Sequence, residues 1–303
     1  MSSTFFGLNI GKSGLSTYQT AINTTSNNIA NVKTEGYTRQ TTVIEATEAL
    51  RVTAKYGSTG TGAAAMEITQ ERNLYYDEKY WQNTSATGLY ESKLYYMEQI
   101  EILFSDDDKQ NGFTTIFNQM FNGLDSLKNN ASDRTVRNQF INQAQKLCTY
   151  FNSLANGLNE MQEDCNQEIK ESVESINAIA KKISLINKEI NRLELASGGH
   201  ANELRDERTK LLDELSSMVE IETKEYYVKN SNGDELGGTN FSVYINGQTL
   251  VDGNDYRTLN CVARAYKDNQ TDVEGLYDVY WTDTNTTFVA ISFTAFQDSS
   301  ESG

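Results

Sequence analysis

The sequence contains no proline, although about fifteen would be expected in a chain of 303 residues at the usual frequency of about 5%. Every helix break must therefore be made by glycine, asparagine, aspartate or serine. The sequence also lacks the apolar run of about 20 residues that a membrane-spanning helix needs. Its N-terminus lacks the charged and apolar regions of a cleaved secretory signal. We therefore expect no membrane partner.

Residues that carry out catalysis or bind metals are scarce. The only histidine is His200, in a glycine-rich turn, and the three cysteines Cys148, Cys165 and Cys261 form no C-x-x-C pair. The chain has no phosphate-binding loop, nucleophile elbow or paired-histidine zinc motif. The acidic run at residues 106–108 lacks the spacing of a calcium loop and is interpreted as the acidic flank of the next helix. These absences predict a protein that is not an enzyme and has neither cofactor nor metal.

Basic residues are outnumbered by acidic ones, 26 to 42, which gives a net charge of −16. Such a chain repels nucleic-acid phosphates, so we expect no nucleic-acid partner. Residues 1–40 contain only three basic residues and one acidic residue. This low charge density suits a segment that is buried against other protein.

A heptad stripe marks the first predicted helix, at residues 3–32. Leu8, Leu15, Ile22 and Ile29 recur at every seventh residue, and Tyr18 lies between them. This narrow apolar stripe, the seam, predicts packing against another helix, and an ordinary amphipathic helix on its own domain is the alternative. Glycine, serine, threonine and asparagine weaken the helix, so we expect residues 1–35 to be mobile until assembly.

The remaining pattern changes from helix to strand near residue 220. An extended segment is predicted at 37–46, a flexible loop at 57–64, and helices near 70–104, 116–127, 133–196 and 201–219. Asn246-Gly247 lies between alternating apolar runs and predicts a hairpin, with further strands at 277–281 and 288–293. The predicted core residues of the four helices are Leu74, Trp81, Tyr95, Ile100, Leu103, Ile116, Phe117, Met120, Phe121, Leu124, Leu127, Ile169, Val173, Ile176, Ile179, Ile183, Ile186, Ile190, Leu193, Leu204, Leu211, Leu212, Leu215 and Met218.

These elements predict an elongated α+β protein with several domains. Residues 1–46 form the N-terminal helix and extended segment, residues 47–221 a long antiparallel helical bundle, and residues 222–303 a β-rich outer domain. We expect the bundle to fold without the first helix, because its helices carry their own apolar faces. The β domain ends without closure, so we expect the chain to be a fragment.

Four segments carry a resemblance to a known family. Residues 25–31 (TSNNIAN) and 34–40 (TEGYTRQ) resemble the N-terminal motif of flagellar axial proteins, which rod, hook and hook-associated proteins share. Residues 202–216 (NELRDERTKLLDELS) and the hairpin at 243–251 resemble one family among these, the hook-associated proteins of the first type, which form the junction between hook and filament.

The resemblance implies a structural subunit that joins hook to filament. Its partners would be hook protein, the second junction protein and copies of itself, and it would reach the extracellular flagellum by type III export without a cleaved signal. Family members return through the bundle to a C-terminal helix that this chain lacks, so the seam is expected to have no partner within it.

The resemblance also implies roles for particular residues. Leu8, Leu15, Tyr18, Ile22 and Ile29 would form the seam of the inner tube. Asn27, Asn28 and Asn31 would make polar contacts at the end of the helix. Gly36 would turn the chain, and Tyr37 and Arg39 would anchor the segment that follows.

Two alternatives stay open. The first is another flagellar axial protein, a rod or hook subunit, which is weakened by the many helical residues after the motif. The second is an enzyme carried on the outer β domain, which the single histidine and the missing nucleophile motifs disfavour.

Overall fold

The computed structural model describes residues 5–51, 57–104, 112–197, 199–229, 231, 233 and 235–282. Its helices are α1 (Phe6–Ala30), α2 (Leu74–Phe104), α3 (Phe113–Asn129), α4 (Arg134–Ser197) and α5 (Asn202–Met218). Its strands are β1 (Gln40–Ala46), β2 (Leu50–Arg51), β3 (Ser58–Thr59), β4 (Ala63–Gln70), β5 (Ile221–Lys229), β6 (Glu235–Ile245), β7 (Gln248–Asp252), β8 (Asp255–Tyr256), β9 (Thr258–Ala263) and β10 (Tyr277–Thr282). The predicted strand at 288–293 and the acidic run at 106–108 lie outside the described residues.

The chain divides into two compact units, each built from two stretches of sequence. Unit 1 comprises residues 1–86 and 176–258, and unit 2 comprises residues 87–175 and 259–303. The α+β class predicted from sequence is confirmed, with long helices and small separate antiparallel sheets. The sequential division at residues 46 and 221 stays a prediction.

The core of unit 1 is formed by the second half of α4, by α5 and by the sheet β5–β8. Ile176, Ile183 and Ile190 lie one heptad apart on α4 and are buried, as the apolar spacing predicts. Arg205 of α5 contacts Glu194 of α4, and Arg208 contacts Asn187, so the two helices run antiparallel. Leu211, Leu212 and Leu215 of α5 are also buried.

The sheet of unit 1 has the strand order β5-β6-β7-β8, and every neighbouring pair is antiparallel. Ile245 pairs with Gln248, so Asn246 and Gly247 form a two-residue turn. Their φ angles of 49° and 73° match the positive values that such a turn requires. The predicted hairpin is therefore confirmed.

A second antiparallel pair, β1 with β4, lies beside α1 in the same unit. Its register joins Gln40 to Gln70 and Ala46 to Ala63, with an irregularity after Val43. The prediction of a flexible loop at 57–64 was wrong in part, because Ser58 and Thr59 pair with Arg51 and Leu50, and β4 begins at Ala63. The hydroxyl of Thr17 in α1 donates a hydrogen bond to the carbonyl oxygen of Ala63 in this strand.

Unit 2 contains the end of α2, helix α3 and the first part of α4. Tyr96 donates a hydrogen bond to Glu168, and Leu103 lies against Gly157, so α2 and α4 run antiparallel. Phe113 of α3 contacts Tyr150 of α4. The hairpin β9–β10 is fixed to α4 because the side chains of Gln162 and Asn166 accept hydrogen bonds from the backbone of Val273 and Tyr277.

Some predicted core positions were wrong. Leu74, Tyr95, Phe117, Phe121, Leu124 and Leu193 are exposed in the structure. Helical periodicity identifies the apolar face of a helix but not whether a neighbour covers all of it. Trp81 by contrast is buried, and its indole N–H donates to Asp213 of α5.

Of the described helices, none combines the length and apolar character needed to cross a membrane.

We predict that Ile183→Ala lowers the free energy of unfolding of unit 1 by about 2–5 kcal/mol, because it leaves a cavity in the α4 core. Ile183 is 0% exposed, whereas Leu185 on the same helix is 57% exposed. Leu185→Ala is the matched control and should change stability by no more than about 0.5 kcal/mol. Urea unfolding followed by Trp81 fluorescence, with Trp281 replaced by Phe, measures both. Equal effects would contradict the assigned core.

Candidate assembly site on the first helix

Helix α1 has two opposite faces of different chemistry. The seam is turned away from the rest of the described chain: Leu8, Leu15, Tyr18, Ile22 and Ile29 are 68%, 72%, 63%, 60% and 69% exposed. Thr17 and Thr24, on the other face, are the buried residues of this helix. The helix is therefore docked by its polar side and presents its apolar side.

The polar face of α1 docks on the antiparallel pair β1–β4, which with its connecting loop is hereafter called the hairpin. Thr17 Oγ1 donates to the carbonyl oxygen of Ala63 at 2.9 Å, and Thr24 Oγ1 lies 2.9 Å from Thr42 Oγ1. Near the start of β4, Gly62 has a φ of +125°, and a Cβ atom there would collide with Ser13 of α1. Small polar residues on the helix and glycine on the hairpin thus permit close approach.

Asn28 ties the end of α1 to the start of β1. Its Oδ1 accepts hydrogen bonds from the backbone N–H of Gln40 at 2.9 Å and from the hydroxyl of Tyr37 at 2.8 Å. Its Nδ2 donates to the carbonyl oxygen of Gln40 at 2.8 Å. One amide side chain therefore satisfies both backbone groups of the buried residue Gln40, as a neighbouring strand would.

The other predicted polar residues surround Asn28. Asn31 Nδ2 donates to Asn27 O and Asn27 Oδ1, which closes the helix end, and Asn27 Nδ2 lies 3.4 Å from the Tyr37 hydroxyl. Gly36 has a φ of +80° and turns the chain beside Lys210 of α5. Burial raises the pKa of the Tyr37 hydroxyl, and the nearby acids Asp206 and Glu203 add to this, so Tyr37 stays a neutral donor.

Arg39 lies at the surface. Its side chain is 72% exposed, and its guanidinium lies 3.6 Å from a carboxylate oxygen of Glu71, an ion pair that adds little stability at an exposed position. The Arg39 carbonyl accepts the N–H of Glu71 at 2.9 Å. The segment is thus anchored here by the Arg39 backbone, while the side chain points to solvent.

Helix α5 supplies polar contacts to this segment at residues that were not predicted from the sequence as site residues. Asp206 accepts from the backbone N–H of Thr38 at 3.0 Å and from Gln70 Nε2 at 2.8 Å. Asn202 Nδ2 donates to the carbonyl of Ile68 at 2.8 Å. In the sequence, the segment NELRDER was noted only for its resemblance to a family. Its polar residues Asn202 and Asp206, at i and i+4, could have indicated a polar face of the helix.

The same helix carries a buried ion cluster on its other side. Arg205 binds Glu194 and Glu225, and Arg208 stacks on Phe241 with its guanidinium carbon 3.8 Å from the ring centre. Burial of the Arg208 guanidinium, only partly offset by Glu225, lowers its pKa to about 10. Burial raises the pKa of Glu194, but the hydrogen bonds from Arg205 and Ala201 outweigh it and lower the pKa below its usual value.

His200 is the single histidine of the chain. His200 lies 3.6 Å from Glu67 and 3.9 Å from Glu194, at the turn between α4 and α5. Across the part of the chain that the structure describes, no group of three or more histidine, cysteine, aspartate or glutamate residues is arranged to hold a metal ion. What the geometry offers is an exposed apolar stripe along α1.

Comparison with known proteins identifies the class. Residues 8–38 match the family model of flagellar basal body rod proteins, and residues 97–290 match that of the "flagellar hook-associated protein FlgK helical domain". The first match covers most of α1 and the turn that follows it. Both matches are to families of flagellar proteins, and this is the class to which the chain belongs.

The second match covers more than half of the chain, and it settles the family within that class. The chain belongs to the family of flagellar hook-associated protein FlgK. It is 31% identical over 284 residues to flagellar hook-associated protein 1 of Bacillus subtilis, covering 89% of this chain and 55% of the relative. The Salmonella typhimurium protein of the same name is 30% identical, with 88% and 46% covered. The chain thus spans about half the length of these curated relatives.

A solved structure supports the fold. The flagellar hook junction protein FlgK from Burkholderia pseudomallei superimposes with a TM-score of 0.56 at 19% identity, covering 73% of this chain and 36% of that one.

We predict that Asn28→Leu releases α1 from the hairpin. The substitution leaves the N–H and C=O of Gln40 and the Tyr37 hydroxyl without their partner, at a cost of about 1–3 kcal/mol for each buried group left unsatisfied. Amide hydrogen exchange across residues 6–30 should accelerate. Asn23→Leu, at an exposed position of the same helix, is the control and should leave exchange unchanged. Equal exchange in the two variants would show that Asn28 does not hold the helix.

Proposed function

We propose that this chain belongs to a structural subunit of the junction between flagellar hook and filament, and that the seam of α1 is its assembly interface. One observation carries the proposal: the helix is already docked by its polar face, and its five seam residues are exposed. An apolar heptad stripe that its own chain leaves open calls for a partner helix. The relatives named hook-associated protein 1 point to the same place in the flagellum.

The proposed partners follow from this location. Copies of the same subunit would meet along the seam, with hook protein on one side of the junction and the second junction protein on the other. The subunit would lie outside the cell in the flagellum, exported without a cleaved signal. The net charge of −16 gives no support to nucleic-acid or anionic-membrane partners.

The sequence suggested that α1 is mobile and folds only on assembly, whereas in the structure α1 is already docked on its own chain. A helix with no intrachain partner would have to fold as it assembles, with the full loss of conformational entropy at that step. Here Thr17, Thr24 and Asn28 hold the helix on β1 and β4 beforehand. Each seam side chain that is then buried by a partner contributes about 1.5–3 kcal/mol, with less ordering entropy to offset.

The alternatives are weaker. A rod or hook subunit would account for the match at residues 8–38 but not for the hook-associated helical domain at 97–290. An enzyme on the outer β domain has no support from the family, whose members are structural, and we propose no catalytic activity.

We predict that Ile22→Asp in the full-length protein prevents its incorporation into the junction, because it places a charge in the middle of the seam. Cells carrying only this variant should have hooks without filaments and should not swim. The stability of the 303-residue chain should not change, since Ile22 is exposed there.

Asn23→Asp is the matched control. It adds the same charge one residue away, on an exposed position outside the seam, and should leave swimming intact. Electron microscopy and swimming assays measure both variants, with secretion into the medium confirmed for each. Normal filaments with Ile22→Asp would contradict the assigned interface.

A further inference from the structure

We propose that Asp206 is a positioning residue that fixes the direction of α1 relative to the α4–α5 core, by holding the hairpin on which α1 rests. The geometric claim stands on the contacts of unit 1, and its consequence for assembly rests on the function proposed above. Asp206 touches neither α1 nor the seam; it acts through β1 and β4.

The carboxylate of Asp206 joins both strands of the hairpin to α5. Its Oδ2 accepts from the backbone N–H of Thr38, two residues before β1, and its Oδ1 accepts from the side chain of Gln70 at the end of β4. Arg72 lies 3.9 Å from Oδ1 and also donates to the Thr38 hydroxyl. Asp206 is 8% exposed, so water contributes little to satisfying these groups.

Further contacts bind the same end of the hairpin to α5. Gln70 also donates to the backbone carbonyl of Asn202, and Asn202 donates in turn to Ile68 of β4. Gln40, which pairs with Gln70 across the hairpin, lies 3.4 Å from Glu203. The hairpin therefore meets the first two turns of α5 through polar groups from both of its strands.

The hairpin passes this constraint on to α1. Gln40 is bound at its N–H and C=O by Asn28 of α1, only two residues after Thr38 is bound by Asp206. The path from α5 to α1 thus runs through three consecutive residues, Thr38 to Gln40, with hydrogen bonds to Asp206 at one end and to Asn28 at the other.

Helix α5 is itself fixed to the core. Arg205 binds Glu194 of α4 and Glu225 of β5, and Arg208 binds Asn187 and Glu225. Asp206 lies between these two arginines in sequence but points to the hairpin. The NELRDER segment therefore joins the docked N-terminal helix on one side to the core on the other.

The chemistry requires a carboxylate at residue 206. An ionised carboxylate only accepts hydrogen bonds, and both of its oxygens face N–H donors here. Asp206→Asn replaces one oxygen by an NH₂ group, so one donor, Thr38 N–H or Gln70 Nε2, is left facing another donor. Glu207→Gln makes the same change of charge at the next, exposed residue and is the control.

The test measures the placement of α1 directly. Spin labels on cysteines introduced at the exposed residues Gln19 and Lys188, in a 303-residue chain whose native cysteines are replaced by serine, report the distance between α1 and α4. The parent and Glu207→Gln should each give one narrow distance distribution. Asp206→Asn should lose the narrow peak and give a broad distribution, while the urea transition of the core, followed by Trp81, persists.

Two further measurements separate positioning from general instability. Amide exchange at Thr38 should accelerate by roughly ten- to a hundredfold in Asp206→Asn, the ratio for loss of a hydrogen bond to a charged acceptor. Gln70→Met, which keeps Asp206 and its bond to Thr38, should broaden the distribution less and serves as the second variant if Asp206→Asn does not fold.

A narrow distance distribution in a folded Asp206→Asn chain would overturn the proposal, whatever the flagellar phenotype. If Asp206→Asn does not fold, a distribution in Gln70→Met that equals that of the parent would overturn it. In the full-length protein, Asp206→Asn should reduce filament number and swimming while the seam is intact. A broad distribution with normal filaments would keep the positioning role and instead contradict the assembly role proposed for α1.

Discussion

A buried backbone must have its hydrogen bonds satisfied, and at Gln40 this constraint organises the N-terminal part of the molecule. The chain leaves α1 at Asn31, turns at Gly36 and enters β1 beside the helix it has just left. Asn28 supplies the donor and acceptor that Gln40 needs. Because the polar face of α1 makes this contact, its apolar face stays exposed. An inward-facing seam would leave both Gln40 groups unpaired, so docking and exposure of the seam have the same cause.

The core to which this arrangement is tied is itself unusual in its polar content. Arg205, Arg208, Glu194 and Glu225 are removed from solvent between α4, α5 and the sheet, and Nε of Arg208 has no hydrogen-bond partner in the structure. Buried ion pairs of this kind add little net stability over apolar packing, since desolvation of the charges offsets their attraction. What they do add is a set of cross-links, because Arg205 joins α5 to Glu194 of α4 and to Glu225 of β5. A fixed α5 in turn gives the hairpin a defined surface to rest on.

Much of this could be predicted from sequence. The isoleucine heptads of α4 and the seam of α1 each follow a helical period, which identifies the apolar face of a helix. The Asn-Gly turn follows from the preference of these two residues for positive φ. The docking of α1 could not be predicted, because Thr17, Thr24 and Gly62 become partners only through a contact of residues far apart in sequence. The exposure of Phe117 and Phe121 was missed for the same reason, since periodicity says nothing of how much of a face is covered. Arg39 shows a third limit: a residue within a recognised motif can act through its backbone.

The central claim is that α1 keeps its docked position when the subunit assembles. Thr24 Oγ1 and Thr42 Oγ1 lie 2.9 Å apart, so cysteines at these positions can approach the disulfide distance of about 2.05 Å with little movement. The decisive measurement adds full-length protein carrying Thr24→Cys and Thr42→Cys, oxidised or reduced, to isolated hooks and compares incorporation. The account predicts equal incorporation of the two forms, because the disulfide locks only the face already docked. Incorporation of the reduced form alone would show that α1 must leave the hairpin to assemble, and would contradict the account.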